Sequence, residues 1–105
     1  MDLNQLTIHE LQEKLKAGET TSTDIVQSVF RRIDSVEKDV HAYILLTRDA
    51  ALAEAARADE EIKKGRIQAL TGIPIALKDL LCTRGVTTTC ASRILHNYVP
   101  PYDAT

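Results

Sequence analysis

Near the start of the chain, a capping signal precedes apolar residues at helical spacing. Thr7 and Glu10 have the T-x-x-E spacing of a capping box, in which the side chain of each residue accepts a hydrogen bond from the backbone of the other. Gly18 then suits a helix end. The apolar residues of the shared face are Ile8, Leu11 and Leu15. This pattern predicts a short helix over about residues 8–17.

Two further helices are predicted by different signals. Over about residues 23–37, apolar side chains recur at spacings of one, three and four, which places them on one helical face. They are Ile25, Val26, Val29, Ile33 and Val36. The stretch from about 49 to 64 is rich in Ala, Glu, Lys and Arg and lacks Gly and Pro, a composition that favours helix.

Two short apolar runs have no helical period. The first covers about residues 42–47, and the second covers about residues 73–78, with Pro74 near its beginning, where a missing donor is tolerated. Their length and composition are typical of buried strands. The order helix, helix, strand, helix, strand predicts an α/β fold, with N-terminal helices and the first strands of a mixed sheet.

The end of the chain predicts a fold that continues. Asp103 has the character of a helix N-cap, yet no helical pattern follows it. Two strands also make a poor sheet by themselves. We therefore expect the sequence to stop in the middle of a fold.

Composition and charge narrow the function classes. In 105 residues, the 44% hydrophobic and 27% charged fractions are ordinary for a globular protein. The formal net charge is -2 and no basic block is present, so the footprint of a nucleic-acid binder is missing. Cys82 and Cys90 lack metal-ligand spacing, and no leader or membrane-length segment is present. These features predict a cytoplasmic protein with reduced thiols and no metal site.

Lys78 is the candidate for chemistry. It follows an apolar run and precedes Asp79, where a predicted strand leaves the core. A lysine in apolar surroundings loses hydration of its charged form, which favours the neutral amine and lets it act as a base. A Ser–Lys pair is a known arrangement of nucleophile and base, but spacing alone leaves open whether Ser92 reaches Lys78. We interpret His9, His41 and His96 as structural because they show no ligand spacing.

The residues around Lys78 resemble a family motif. The run G-I-P-I-A-L-K-D at 72–79 is similar to the segment that introduces the catalytic lysine of amidase-signature enzymes. The run C-T-R-G-V-T-T-T-C-A-S-R-I-L at 82–95 and the ending P-P-Y-D-A-T at 100–105 resemble the amidase (A) subunits of tRNA-dependent amidotransferases within that family. The resemblance covers the whole chain.

The resemblance implies a Ser–Ser–Lys triad with Lys78 as its lysine. Family members use it to hydrolyse amides, the lysine acting through a bridging serine on the nucleophilic serine. Both family serines lie in a Gly/Ser-rich stretch downstream of the lysine motif, and no such stretch occurs here. The resemblance therefore implies that Ser92 is neither of them and that residues 1–105, as the N-terminal part of one amidase domain, are inactive alone.

For the intact enzyme, the resemblance implies that glutamine is hydrolysed and its ammonia converts Glu-tRNA(Gln) to Gln-tRNA(Gln), or in some organisms amidates Asp-tRNA(Asn). The implied partners are a B subunit, which handles tRNA and uses ATP and Mg²⁺, and a small C subunit. No cofactor is expected within this chain.

Two alternatives remain open. The chain could be a noncatalytic interaction module in which Lys78 is an ordinary surface residue, or part of an amidase acting on free small amides. As part of an amidase domain, the isolated chain is expected to expose apolar surface that the rest of the domain would cover, and therefore to self-associate.

Overall fold

The computed structural model describes residues 2–105, which divide into two compact units. The first unit contains the chain up to residue 41 together with residues 47–74. The second contains residues 42–46 and 75–105. The first unit holds the long helices, and the second holds Lys78 and the residues that follow it.

Helices occupy the three predicted spans, all within the first unit. They are α1 (Ile8–Ala17), α2 (Ser22–Val40) and α3 (Arg48–Lys63), and a short 3₁₀ turn at Leu3–Gln5 precedes them. Helix α2 extends beyond the predicted end at residue 37, because residues 37–40 contain no Gly or Pro that would break it. The helix ends where His41 takes the left-handed conformation (φ 51°).

The predicted capping box begins α1. The Thr7 N–H donates to the Glu10 carboxylate at 2.7 Å, and the Glu10 N–H donates to Thr7 Oγ1 at 3.3 Å. Gly18, at φ 72°, ends the helix with its N–H on the Leu15 carbonyl. Local sequence signals thus determine both ends of α1.

Two apolar clusters form the core of the first unit. One lies between α2 and α3, and the other joins α1 to the start of α2. The buried members of the first are Val26, Phe30, Ile33 and Ala55, and those of the second are Leu11, Leu15 and Ile25. Full burial of an aliphatic or aromatic side chain contributes roughly 1.5–3 kcal/mol, so these two clusters dominate the packing of the unit.

A polar contact also ties α2 to α3. The Asp59 carboxylate on α3 accepts hydrogen bonds from the N–H groups of Ser22 and Thr23, at 2.6 and 3.1 Å, and from Thr23 Oγ1 at 2.7 Å. The N–H groups of a first helical turn have no partner within their helix, and a carboxylate there also meets the positive end of the helix dipole. Asp59 therefore caps α2 from the neighbouring helix.

The predicted strands at 42–47 and 73–78 are wrong for this structure. Across residues 2–105, β pairing is limited to one isolated antiparallel bridge between Thr83 and Val86. An extended segment becomes a strand only when a neighbour pairs with its backbone groups, and neither run has such a neighbour here. Ile44 and Ile75 are accordingly 64% and 70% exposed. The structure is helical and irregular, and the mixed sheet of the predicted α/β fold is not formed by these residues.

The second unit is built from turns and long-range backbone hydrogen bonds. The Gly85 N–H donates to the Pro100 carbonyl at 3.0 Å, and the Thr88 N–H donates to the Tyr98 carbonyl at 3.0 Å. Pro100 and Thr88 are buried between these connections. Asp103, predicted as a helix cap, instead accepts the Arg84 N–H at 2.8 Å.

None of the helices found among residues 2–105 combines the length and the apolar character needed to cross a membrane.

Candidate functional site

Lys78 lies in an irregular segment of the second unit. Its side chain is exposed, and within residues 2–105 it forms no ion pair. Its carbonyl accepts the Leu81 N–H at 3.0 Å, which closes a turn directly after the lysine. The apolar surroundings expected for this amine are therefore not supplied by the residues that the structure describes, whereas its backbone is fixed.

Asp79 is the most heavily hydrogen-bonded residue beside Lys78. Its carboxylate accepts the Thr89 N–H at 3.0 Å, the Ala91 N–H at 3.2 Å and a short hydrogen bond from Thr89 Oγ1. Its backbone carbonyl accepts the Cys90 N–H at 2.8 Å. We call this set, Asp79 with residues 89–91, the Asp79 clamp. The hydrogen bonds from Thr89 and then Ala91 favour the ionised form and lower the pKa of Asp79 below its usual range.

The clamp holds a strained backbone. Cys90 and Ala91 have φ values of 50° and 58°, in the left-handed region that side-chain-bearing residues avoid. Each such residue costs roughly 1–2 kcal/mol, and two in succession persist only when surrounding contacts impose them. The carboxylate of Asp79 provides those contacts, because it accepts the N–H of Thr89, which precedes the strained pair, and the N–H of Ala91 within it.

A second polar cluster follows the motif in sequence and joins Cys82, Tyr98 and Tyr102. Cys82 Sγ is 3.9 Å from the Tyr102 hydroxyl, in the geometry of an S–H donor. A hydrogen bond with Tyr98, followed by the contact with Cys82, raises the pKa of Tyr102 to about 12. Tyr102 therefore stays neutral at physiological pH and acts as a structural hydrogen-bonding group.

The remaining sequence candidates have structural positions. Ser92 Oγ accepts the Ile94 N–H at 3.3 Å and caps the 3₁₀ turn at Arg93–Leu95. His41 ends α2, and His96 Nδ1 lies 2.9 Å from the Arg93 carbonyl. These positions of His41 and His96 agree with their interpretation as structural residues, and Ser92 serves as a cap.

Sequence reasoning singled out Lys78 as a candidate and assigned no role to its neighbour Asp79. Asp79 was visible only as the residue after the lysine, although aspartate at a loop start commonly binds nearby backbone amides. The amides that it binds lie ten to twelve residues further along the chain, at Thr89 and Ala91. The sequence did contain one signal, because the small side chains of the T-C-A run at 89–91 let a carboxylate come close to the backbone there.

Comparison with known proteins places the chain in a family. A family model described as Amidase matches residues 24–105. Over 105 residues, the chain is 66% identical to the A subunit of the Glutamyl-tRNA(Gln) amidotransferase from Syntrophus aciditrophicus (strain SB), covering 100% of this chain and 22% of that protein. The proteins of the same name from Geotalea daltonii and Syntrophomonas wolfei are 55% and 54% identical over 105 residues, again across 100% of this chain and 22% and 21% of those proteins. The chain thus spans about a fifth of the length of these curated relatives. With most of its length matched by the family model, the chain belongs to the amidase family.

Proposed function

We propose that this chain is the N-terminal part of the glutamine-hydrolysing subunit of a tRNA-dependent amidotransferase. The proposal rests on one observation. Over all 105 residues, and not in one motif alone, the chain is 66% identical to a protein named as the A subunit of a Glutamyl-tRNA(Gln) amidotransferase. In this role the enzyme releases ammonia from glutamine for the conversion of Glu-tRNA(Gln) to Gln-tRNA(Gln).

Lys78 is the catalytic lysine in this proposal. Its support is the G-I-P-I-A-L-K-D motif and the anchored turn that fixes the lysine backbone. A neutral amine accepts a proton from a serine hydroxyl, and that serine in turn activates a second serine for attack on the amide carbon. Both serines belong to the remaining part of the amidase domain, which also supplies the apolar surroundings that favour the neutral amine.

The partners in this proposal are a B subunit, which handles tRNA and holds ATP and Mg²⁺, and a small C subunit. The mild acidity of the chain, with its formal net charge of -2, fits tRNA contacts made by another subunit. The enzyme acts in the cytoplasm, where tRNA is charged for protein synthesis, and ligation depends on ATP at the partner subunit.

A chimera provides the test. This chain replaces the matching 105 residues of the Syntrophus aciditrophicus relative, and the chimera is co-expressed with the B and C subunits of that organism. Ammonia release from glutamine is measured for the parent and for Lys78→Ala. Because the triad acts as a unit, we expect Lys78→Ala to lower kcat by at least ~10³-fold while the circular dichroism spectrum is unchanged.

The control is Lys63→Ala, which removes another exposed lysine, one that pairs with Glu60 on its own helix. It should turn over glutamine like the parent. Normal turnover by Lys78→Ala would remove this lysine from the mechanism and favour a noncatalytic interaction role for the chain. A chimera that hydrolyses small free amides in preference to glutamine would indicate the other amidase specificity.

A further inference from the structure

We propose that Asp79 is a positioning residue that fixes the direction in which Lys78 leaves the backbone. The inference rests on the proposed function of Lys78 and adds a second residue to it. It is carried by the Asp79 clamp, whose hydrogen bonds join the residue after the lysine to residues 89–91.

The backbone on the C-terminal side of Lys78 is held at consecutive carbonyls. The Lys78 carbonyl accepts the Leu81 N–H at 3.0 Å, and the Asp79 carbonyl accepts the Cys90 N–H at 2.8 Å. The Asp79 carboxylate adds three more hydrogen bonds. The peptide that joins Lys78 to Asp79 therefore has little freedom to rotate, even though the segment belongs to no helix or sheet.

This restraint matters because the lysine side chain makes no ion pair within residues 2–105. A four-carbon stem has many rotamers, so the amine reaches a defined place only if its Cα and the Cα–Cβ direction are fixed. An error of about 1 Å in the position of a reacting group costs roughly 10²-fold in rate. The exposed Lys78 side chain has no other partner among residues 2–105 that restrains it, so the clamp is the restraint that this chain provides.

The form of the clamp argues for more than ordinary loop packing. The Asp103 carboxylate, in the same unit, accepts one backbone hydrogen bond, from Arg84 at 2.8 Å. The Asp79 carboxylate accepts three and stabilises two successive left-handed residues, Cys90 and Ala91. Strained backbone of this kind concentrates at functional sites, where position is worth its conformational cost.

The test uses the chimera with four variants. Asp79→Asn removes the charge and part of the acceptor capacity, Thr89→Val removes only the hydroxyl donor, and Thr89→Ser restores that donor. Asp103→Asn is the matched control, because it alters a carboxylate of the same unit that holds a single amide. The kcat and KM for glutamine are measured for each, together with the thermal midpoint of the chimera.

We expect Asp79→Asn to lower kcat by about 10²-fold and Thr89→Val by about 10-fold, with KM for glutamine within about twofold of the parent. Thr89→Ser and Asp103→Asn should keep the parent kcat. A purely structural role would instead lower the thermal midpoint and leave the kcat of the folded fraction unchanged, and that result would overturn the inference. If Asp79→Asn fails to fold, the other pair decides: a lower kcat in Thr89→Val but not in Thr89→Ser supports the positioning role, and an unchanged kcat in both overturns it.

The outcomes separate this inference from the proposed function. An active Lys78→Ala chimera would show that the proposed function is wrong. An inactive Lys78→Ala chimera with unchanged kcat in both Asp79→Asn and Thr89→Val would overturn the positioning role alone.

Discussion

At the residue scale, the lysine motif combines an exposed amine with a heavily bonded carboxylate. Lys78 makes no side-chain ion pair within residues 2–105, whereas the Asp79 carboxylate accepts three hydrogen bonds from two residues. Of these two adjacent side chains, one makes no ion pair among the described residues and the other is held by several hydrogen bonds. Under the proposed function, this arrangement would leave the amine available for its reaction partners while Asp79 restrains the backbone beside it.

The ionisation of Asp79 provides a direct probe of the clamp. The pKa of this carboxyl is below its usual value of 3.8, chiefly because Thr89 donates to it from both hydroxyl and backbone. A lowered pKa in the folded state means that the ionised clamp stabilises the fold above pH 3.8, and that this contribution disappears as pH falls through the lower folded value. In the ¹⁵N-labelled chain, the amide signals of Thr89 and Ala91 should therefore titrate with a midpoint below 3.8.

Thr89→Val is the informative variant for this titration. Because it removes the hydroxyl donor, the Ala91 amide should titrate at a higher pH than in the parent chain, closer to the ordinary aspartate value. The same titration in Asp79→Asn should show no midpoint at either amide. A parent midpoint at or above the ordinary value would contradict the clamp as described.

At the element scale, the helices were accessible to sequence reasoning and the strands were not. The ends of α1 depend on Thr7, Glu10 and Gly18, which lie within eleven residues of one another and act through local hydrogen bonds. A strand depends on partners that are distant in sequence or belong to another segment. The apolar runs at 42–47 and 73–78 carry strand-like composition, but composition does not supply the pairing.

The candidate site was predictable to the same limited extent. The motif around Lys78 could be recognised from adjacent residues. The contact of Asp79 with Thr89 and Ala91 could not, because it spans ten to twelve residues of irregular chain without a periodic pattern. Lys78 is exposed among residues 2–105, and the strand from which its apolar surroundings were inferred does not form there.

Gly72 offers a test of how the first unit packs around its helices. A Cβ at this position would lie 3.2 Å from Ser22 Cβ and 3.3 Å from Leu15 Cδ1, and the backbone has φ 81°. Gly72→Ala therefore combines left-handed strain, about 1–2 kcal/mol, with crowding of roughly 1–3 kcal/mol. Gly18→Ala, at φ 72° with nothing within 4 Å of the new Cβ, has the strain alone. Urea unfolding followed by circular dichroism at 222 nm measures both.

The comparison isolates the packing contribution. Because both glycines belong to the first unit, which contains α1, α2 and α3, the same signal reports both variants. We expect Gly72→Ala to lower the free energy of unfolding by at least about 1 kcal/mol more than Gly18→Ala. Equal losses would mean that Leu15 and Ser22 move aside without cost and that Gly72 is needed for its backbone conformation only.

At the scale of the whole molecule, much apolar surface remains in contact with water. Ile44 is 64% exposed, Ile75 is 70% exposed and Ile94 is 88% exposed, and each lies in the second unit. Scattered exposed apolar residues are common, but a small unit with several large ones is unusual for a monomer. The curated relatives are about five times as long as this chain. The part of such a protein that lies outside the matched residues could cover these exposed side chains.

The exposed surface predicts how the isolated chain behaves. We expect the 105-residue chain to self-associate at high concentration and to bind a dye that fluoresces on apolar patches, because each square ångström of apolar surface removed from water contributes roughly 25 cal/mol. Light scattering measures the mass.

The double variant Ile75→Lys with Ile94→Lys should shift the mass toward the monomer, whereas Gln27→Lys, which adds charge at an exposed position of α2, should change it little. A clean monomer without dye binding would contradict this expectation. Adding the remaining four-fifths of the Syntrophus protein, expressed separately, should suppress dye binding by the parent chain if that part of the amidase domain covers the same residues.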